Sequence, residues 1–274
     1  LGKSLDTKAL SFWIHDGSYL AMLHAAGSTF RSQIRRAVRV ADAVVYPSRE
    51  MRVAQFGALF PSTDFHDGGR DVLSKAMVVP HGVPRYFDDV DDVERRDGWL
   101  LWPVSPERGL AELLRMLPAL RRAVKSRGGD FRVVVCHLRG GYHENTKLEL
   151  PDDVVFAGML PPKRLAAMLR SCALFVFPSA VPEAFSLATW ECALHGVVPV
   201  VYGLGALAAL GRVGCPCVAP GDAAALEAAA VELLAAPDAA AARRRDVVAR
   251  ARAAARDWAG TARFWEATAL RAPS

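Results

Sequence analysis

The 274-residue sequence has few cysteines, and their number is odd. Cys136, Cys172, Cys192 and Cys215, with Cys217, cannot all pair with one another. Four of the five sit among apolar or small residues, which reads as buried free thiols in a reducing, cytoplasmic setting. Cys215-Pro216-Cys217 has no second Cys/His pair with which to build a zinc site. No uncharged stretch suits a membrane span, because the longest, Cys192 to Gly211, contains His195, Pro199 and several glycines. No run of Lys or Arg alternates with aromatics as a nucleic-acid groove requires, so nucleic acid is not an expected partner. No G-x-G-x-x-G follows the first strand of either half, and Gly203-x-Gly205 lacks the third glycine. That argues against a nicotinamide dehydrogenase.

What is present is ample core material. Hydrophobic residues make up 52% of the chain and charged residues 23%, a globular composition for one large or two ordinary domains. The net charge is +5, from 34 basic and 29 acidic residues, with Arg far commoner than Lys. Such a balance suits phosphorylated small molecules and leaves room for peripheral attraction to an anionic membrane. The chain begins at Leu1 rather than Met, and a fragment is the expectation.

Short apolar strands alternate with helical stretches. Leu10 to Ile14 reads as a strand that ends in His15-Asp16, Phe30 to Val40 as a basic helix, and Ala43 to Tyr46 as a buried strand. Ser48 caps a helix through about Phe56, and Ala76 to Val79 is a further strand. Asp88 to Gly98 is dense in charge, lacks apolar periodicity, and reads as a solvated linker between domains. Beyond it the strands are expected at Trp99–Trp102, Phe131–Cys136, Val154–Phe156, Leu174–Phe177, Val197–Val201 and Cys217–Val218. The helices fall at 105–122, 162–169, 185–194, 223–236 and 239–256. Strands apolar on both faces, alternating with helices, imply a parallel sheet covered on both sides. From Gly98 onward this is a doubly wound α/β domain of the Rossmann kind.

Two stretches carry chemistry. In Ser105-Pro106-Glu107-Arg108-Gly109-Leu110, Ser and Pro make a helix start. Arg108 opposes the positive end of the helix dipole, and Gly109 allows close approach. Either an anion sits at that helix start or Arg108 is a surface residue paired with an acid. The second stretch is FPSAVPEAFSLATWECALHGVVPVVY, residues 177–202. A helix beginning at Phe185 would offer free N–H groups at the carboxyl ends of the strands, where open α/β sheets bind ligands. Glu183 stands before that helix and Glu191 inside it. Each could accept hydrogen bonds from vicinal hydroxyls, or be a capping acid and a helix-surface acid.

Read together, Arg108-Gly109-Leu110, Gly158, Pro178-Ser179, Glu183, Phe185, Glu191, Gly196 and Pro199-Val200 resemble a family-4 glycosyltransferase of the GT-B fold. The mark of that family, two glutamates separated by seven residues, stands here as EAFSLATWECALHGVVPV. The resemblance covers nearly the whole chain and is strongest from Trp99 to about Asp222. It implies a partial N-terminal Rossmann-like domain over 1–87, a complete C-terminal nucleotide-sugar domain over 98–255, and a helix over 256–274 that returns to the first domain.

By that resemblance the substrate is a nucleotide-diphosphate sugar and the reaction is sugar transfer to an acceptor hydroxyl. It implies retention of configuration, with no metal and no cofactor. Arg108 would neutralise the leaving diphosphate. Glu183, Phe185, Ser186 and Leu187 would hold the sugar and diphosphate, with Ser105, Gly109 and Gly158 lining the donor site. Glu191 would hold the ribose, and His15 would lie beside the reacting centre. No Asp-x-Asp motif lies near these residues. Pro103 stands where many members carry a second Arg, as in a subgroup with an S-P-x-R-G-L motif. Ala184 and Ser186 replace glycines, and His81-Gly82 replaces Asn-Gly. The competing reading is a truncated or degenerate module that binds a nucleotide sugar or a partner without turnover.

Overall fold

Two parallel sheets organise the chain in the computed structural model, which describes residues 11–13, 28–60, 70–84, 93–136 and 150–268. The chain folds into two compact units. The first comprises Leu1–Gly82, Pro182–Phe185 and Arg256–Ser274, and the second Val83–Val181 and Ser186–Ala255.

In the first unit, β1 (Ser11–Trp13), β2 (Ala43–Tyr46) and β3 (Ala76–Val78) form a parallel sheet in the order β1-β2-β3. Helices α1 (Ser28–Val40), α2 (Arg49–Leu59) and α3 (Arg70–Ser74) connect them. The predicted cap at Ser48 is present: its hydroxyl accepts from Met51 N–H at 3.1 Å. Val38, Val44, Tyr46, Met51, Leu59 and Phe60 form the core of this unit. Ala184 is packed among them, far along the sequence. The unit also holds the C-terminal helix α9 (Trp258–Thr268).

The second unit is built on six strands: β4 (Arg96–Trp102), β5 (Arg132–Val135), β6 (Val154–Phe156), β7 (Cys172–Phe177), β8 (Val198–Tyr202) and β9 (Cys217–Val218). Their order is β6-β5-β4-β7-β8-β9, and every pairing is parallel. Counted from β4 this is the doubly wound order, with its reversal point between β4 and β7. The helices are α4 (Leu110–Lys125), α5 (Pro162–Ser171), α6 (Leu187–His195), α7 (Ala223–Ala235) and α8 (Pro237–Ala254). At the sheet centre, the fully buried Trp102 meets Phe175 and Phe177 edge-on at centroid distances of 5.7 and 5.9 Å.

Three local expectations are corrected. The helix read as continuous from Ser105 is a 3-10 turn, Pro106–Arg108, then a break, then α4. The break is Gly109, whose φ of 120° no α-helix contains. The helix expected from Phe185 starts at Leu187, because Ser186 before it is left-handed at φ 63°. The apolar stretch 206–213, given no element above, is a run of 3-10 helix.

Candidate functional site

Ligands of doubly wound sheets lie beyond the carboxyl ends of the strands that flank the reversal point. Here those strands are β4 and β7. The loop after β4 carries Ser105, Arg108 and Gly109, and the chain after β7 leads through Pro178-Ser179 to Ser186, Leu187 and Glu191.

The two loops touch. A Cβ on Gly109 would come within 2.9 Å of the Pro178 carbonyl oxygen, so only glycine fits there. Ser179, which is fully buried, stiffens the second loop: its hydroxyl donates to Val181 O at 3.2 Å and accepts from Val181 N–H at 3.3 Å. Ser105 is the N-cap of the 3-10 turn, with Pro106 at its first position, but makes no side-chain capping bond. Its hydroxyl donates to the Glu107 carboxylate at 2.6 Å, and its carbonyl accepts from Arg108 N–H at 3.1 Å. Arg108 thus closes the turn, half-buried, two residues before α4 begins. Gly158 follows β6, the edge strand, with open space where a side chain would stand.

Ser186 sits on the far side of the reversal point as the N-cap of α6. It holds φ 63° and ψ 74° without a side-chain capping bond. Its carbonyl is gripped by the Thr189 hydroxyl at 2.8 Å and the Thr189 N–H at 3.2 Å. A left-handed conformation costs an L-residue about 1–2 kcal/mol. Ser186→Gly is therefore expected to raise stability by roughly 0.5 kcal/mol, after the entropy that glycine adds to the unfolded chain. Ser186→Ala should give no such gain, and denaturant midpoints of the two variants check the difference.

Glu191 lies in the second turn of α6, half-buried, and among the described residues its carboxylate has no cation partner. Burial raises its pKa from the ordinary 4.5 to about 7. The folded chain therefore holds this proton over a pH range in which the unfolded chain has lost it. Stability is full below the ordinary value and falls as pH rises toward about 7, then levels off. The loss is on the order of 2 kcal/mol. Glu191→Gln should remove that slope, which unfolding titrations from about pH 5 to about pH 8 would reveal.

The remaining candidates belong to the first unit or lie outside the described residues. Glu183 is half-buried and Phe185 buried, in the segment that clusters with the first unit. Phe185 packs edge-on against the His81 ring at 5.4 Å, and His81 lies 6.0 Å from the Trp258 ring. Gly82 lets the backbone of Trp258 approach, since a Cβ there would meet Trp258 N at 2.6 Å. Sequence reasoning singled out Gly82 only as half of an unusual His-Gly pair and missed Trp258 as its neighbour. Thr189 was also missed, because its grip depends on its burial and on the left-handed cap at Ser186, neither of which the residues signal. His15 lies outside the described residues. Among the described residues, no helix is long and apolar enough to cross a membrane.

Residues 99–236, half of the chain, match the family described as Glycosyl transferases group 1. The chain belongs to that family. This group 1 glycosyltransferase is also similar to solved structures. Sucrose-phosphate synthase from Thermosynechococcus elongatus is 16% identical with a TM-score of 0.67, over 95% of this chain and 67% of that one. HepE from Anabaena, solved with UDP-glucose, is 19% identical with a TM-score of 0.68, over 96% of this chain and 72% of that one. A trehalose-6-phosphate synthase studied for glycosyltransfer with retention is 14% identical with a TM-score of 0.58, over 95% and 68%. These likenesses give the glycosyltransferase the GT-B fold. No curated protein sequence matches it significantly.

Proposed function

We propose that this chain moves a sugar, a hexose by preference, from a nucleotide-diphosphate sugar to an acceptor hydroxyl with retention of configuration. We place it with family-4 enzymes of the S-P-x-R-G-L subgroup. The observation that carries this reading is the contact between Gly109 and Pro178. It joins the Arg108 turn to the chain leaving β7, which leads on to α6, at the reversal point of the sheet.

In this reading the α6 N–H groups at Ser186 and Leu187, with Phe185 before them, receive the diphosphate. Arg108 balances the charge that grows on it as the sugar leaves, so no metal or cofactor is invoked. Ser105, Gly109 and Gly158 border the donor. Glu191 accepts the ribose hydroxyls, which would offset the cost of a half-buried carboxylate. Glu183 orients the sugar and His15 stands beside the reacting centre. UDP-sugars are the first donors to try, because HepE was solved with UDP-glucose.

The test is transfer of labelled sugar from a panel of nucleotide sugars to a panel of acceptors, with product anomers assigned by NMR. Turnover that disappears in Glu183→Ala, with retained configuration in the wild type, is the expected outcome. Donor binding without turnover on any acceptor would assign the chain to the degenerate, non-catalytic reading.

A further inference from the structure

The opposite edge of the second unit's sheet carries a cleft that the transfer reaction does not use. Arg95 precedes the first residue of β4, and Cys172 is the first residue of β7, so this is the amino end of the strands. Helix α6 runs from the donor edge down to this one and ends at His195. The cleft has a volume of about 350 Å³ and is lined by Arg95, His195, Gly196, Arg244, Arg245 and Arg252. That volume falls within the range of small-molecule sites. Val248 and Ala249 add an apolar strip beside the arginines.

The four arginines converge for a geometric reason. Positions 244, 245, 248, 249 and 252 repeat at three- and four-residue intervals and so share one face of α8. Arg95 is brought in from the other wall. Its guanidinium donates to the Cys172 carbonyl and, at 3.4 Å, to the His195 carbonyl that ends α6. It lies directly on the backbone, since a Cβ on Gly196 would meet Arg95 Nη2 at 2.9 Å.

Like charges gathered at a partly closed surface repel one another unless an anion joins them. Among the described residues no carboxylate lines the cleft. Asp97, beside it, reaches Arg244 only at 3.9 Å. Burial first, and then the Arg244 charge, lower the Arg95 pKa to about 10, with Asp97 pulling the other way. Guanidinium groups set as forks around one space match the several oxygens of a phosphate better than a single carboxylate.

We propose that this cleft is a second ligand site, which binds the phosphate group of a phosphorylated ligand through Arg95, Arg244, Arg245 and Arg252. The inference does not rest on the transferase reading. Two sources share the chemistry, a soluble phosphate ester and an anionic phospholipid headgroup.

The test uses Arg108→Ala protein, so that phosphate bound at the donor edge does not contribute. Inorganic phosphate, compared with chloride at equal ionic strength, is expected to raise its Tm by roughly 2–4 °C near tenfold its Kd. Adding Arg245→Gln and Arg252→Gln, both on the exposed face of α8, should remove that shift without lowering the Tm in chloride. In the wild-type background the same pair should leave UDP affinity within about twofold, since these residues lie at the other edge. Co-sedimentation with phosphatidylcholine vesicles containing phosphatidylglycerol, lost in the Gln pair, would name the headgroup as the source. A phosphate shift without co-sedimentation would name a soluble ester. The proposal is overturned if neither the phosphate shift nor vesicle binding depends on Arg245 and Arg252.

Discussion

Arg108→Ala is expected to lower sugar transfer by about 10²–10³-fold, the usual loss when one preorganised charge is removed from a reacting centre. The same change should not lower stability. Arg108 stands two residues before the positive end of the sixteen-residue helix α4, where a cation is unfavourable by about 0.3–1 kcal/mol. A residue retained there for folding would show the reverse pattern, with stability lost and turnover kept. Arg108→Lys separates charge from shape. It preserves the point charge but not the planar fork, and should recover part of the rate. Initial rates with labelled donor, alongside denaturation midpoints for the three proteins, would decide the matter.

Trp102→Ala should be the most destabilising single change, costing about 3–5 kcal/mol as a large cavity opens in a packed core. Trp102 is fully buried at the end of β4 and meets both Phe175 and Phe177, which stack on each other at 4.9 Å. Its indole N–H is buried with no hydrogen-bond partner among the described residues. Trp102→Phe deletes that orphan donor and keeps most of the ring. Its net cost should therefore be only about 1 kcal/mol, smaller than ring size alone would suggest. Urea unfolding of both variants measures the contrast. Because β4 runs directly into the turn that holds Arg108, the Ala variant should lose donor affinity as well.

The sheet was legible in the sequence wherever apolar, β-branched runs meet turn residues. β2 and β9 lie at the residues that composition indicated, and β7 is longer than expected by only two residues. The two breaks at the candidate site were not legible. Ser105-Pro106 is a good helix start by local rules, yet the contact of Gly109 with Pro178 O, 69 residues away, imposes a turn instead. Ser186 carries no residue signal for a left-handed cap, since glycine would be the expected choice there. The Asp88 to Gly98 stretch looked like solvated linker because charge dominates it. Arg95 is nonetheless drawn inward by carbonyls from β7 and α6 that only the fold assembles. The glutamates were found by spacing. That Glu191 is half-buried without a cation among the described residues depends on which face α6 turns inward, and a short apolar helix does not advertise that.

The four residues Pro182–Phe185 have a practical consequence for modular engineering. They interrupt the second unit in sequence but cluster with the first, and Ala184 is packed in that unit's core beside Val44 and Leu59. A chimera that exchanges the continuous block 83–255 with a relative would therefore replace a piece of the recipient's own core. Donor specificity grafted in this way should succeed only when the incoming segment keeps the small side chain at 184 and the aromatic ring at 185 that packs on His81. In this chain, the interchangeable part is not a continuous length of sequence.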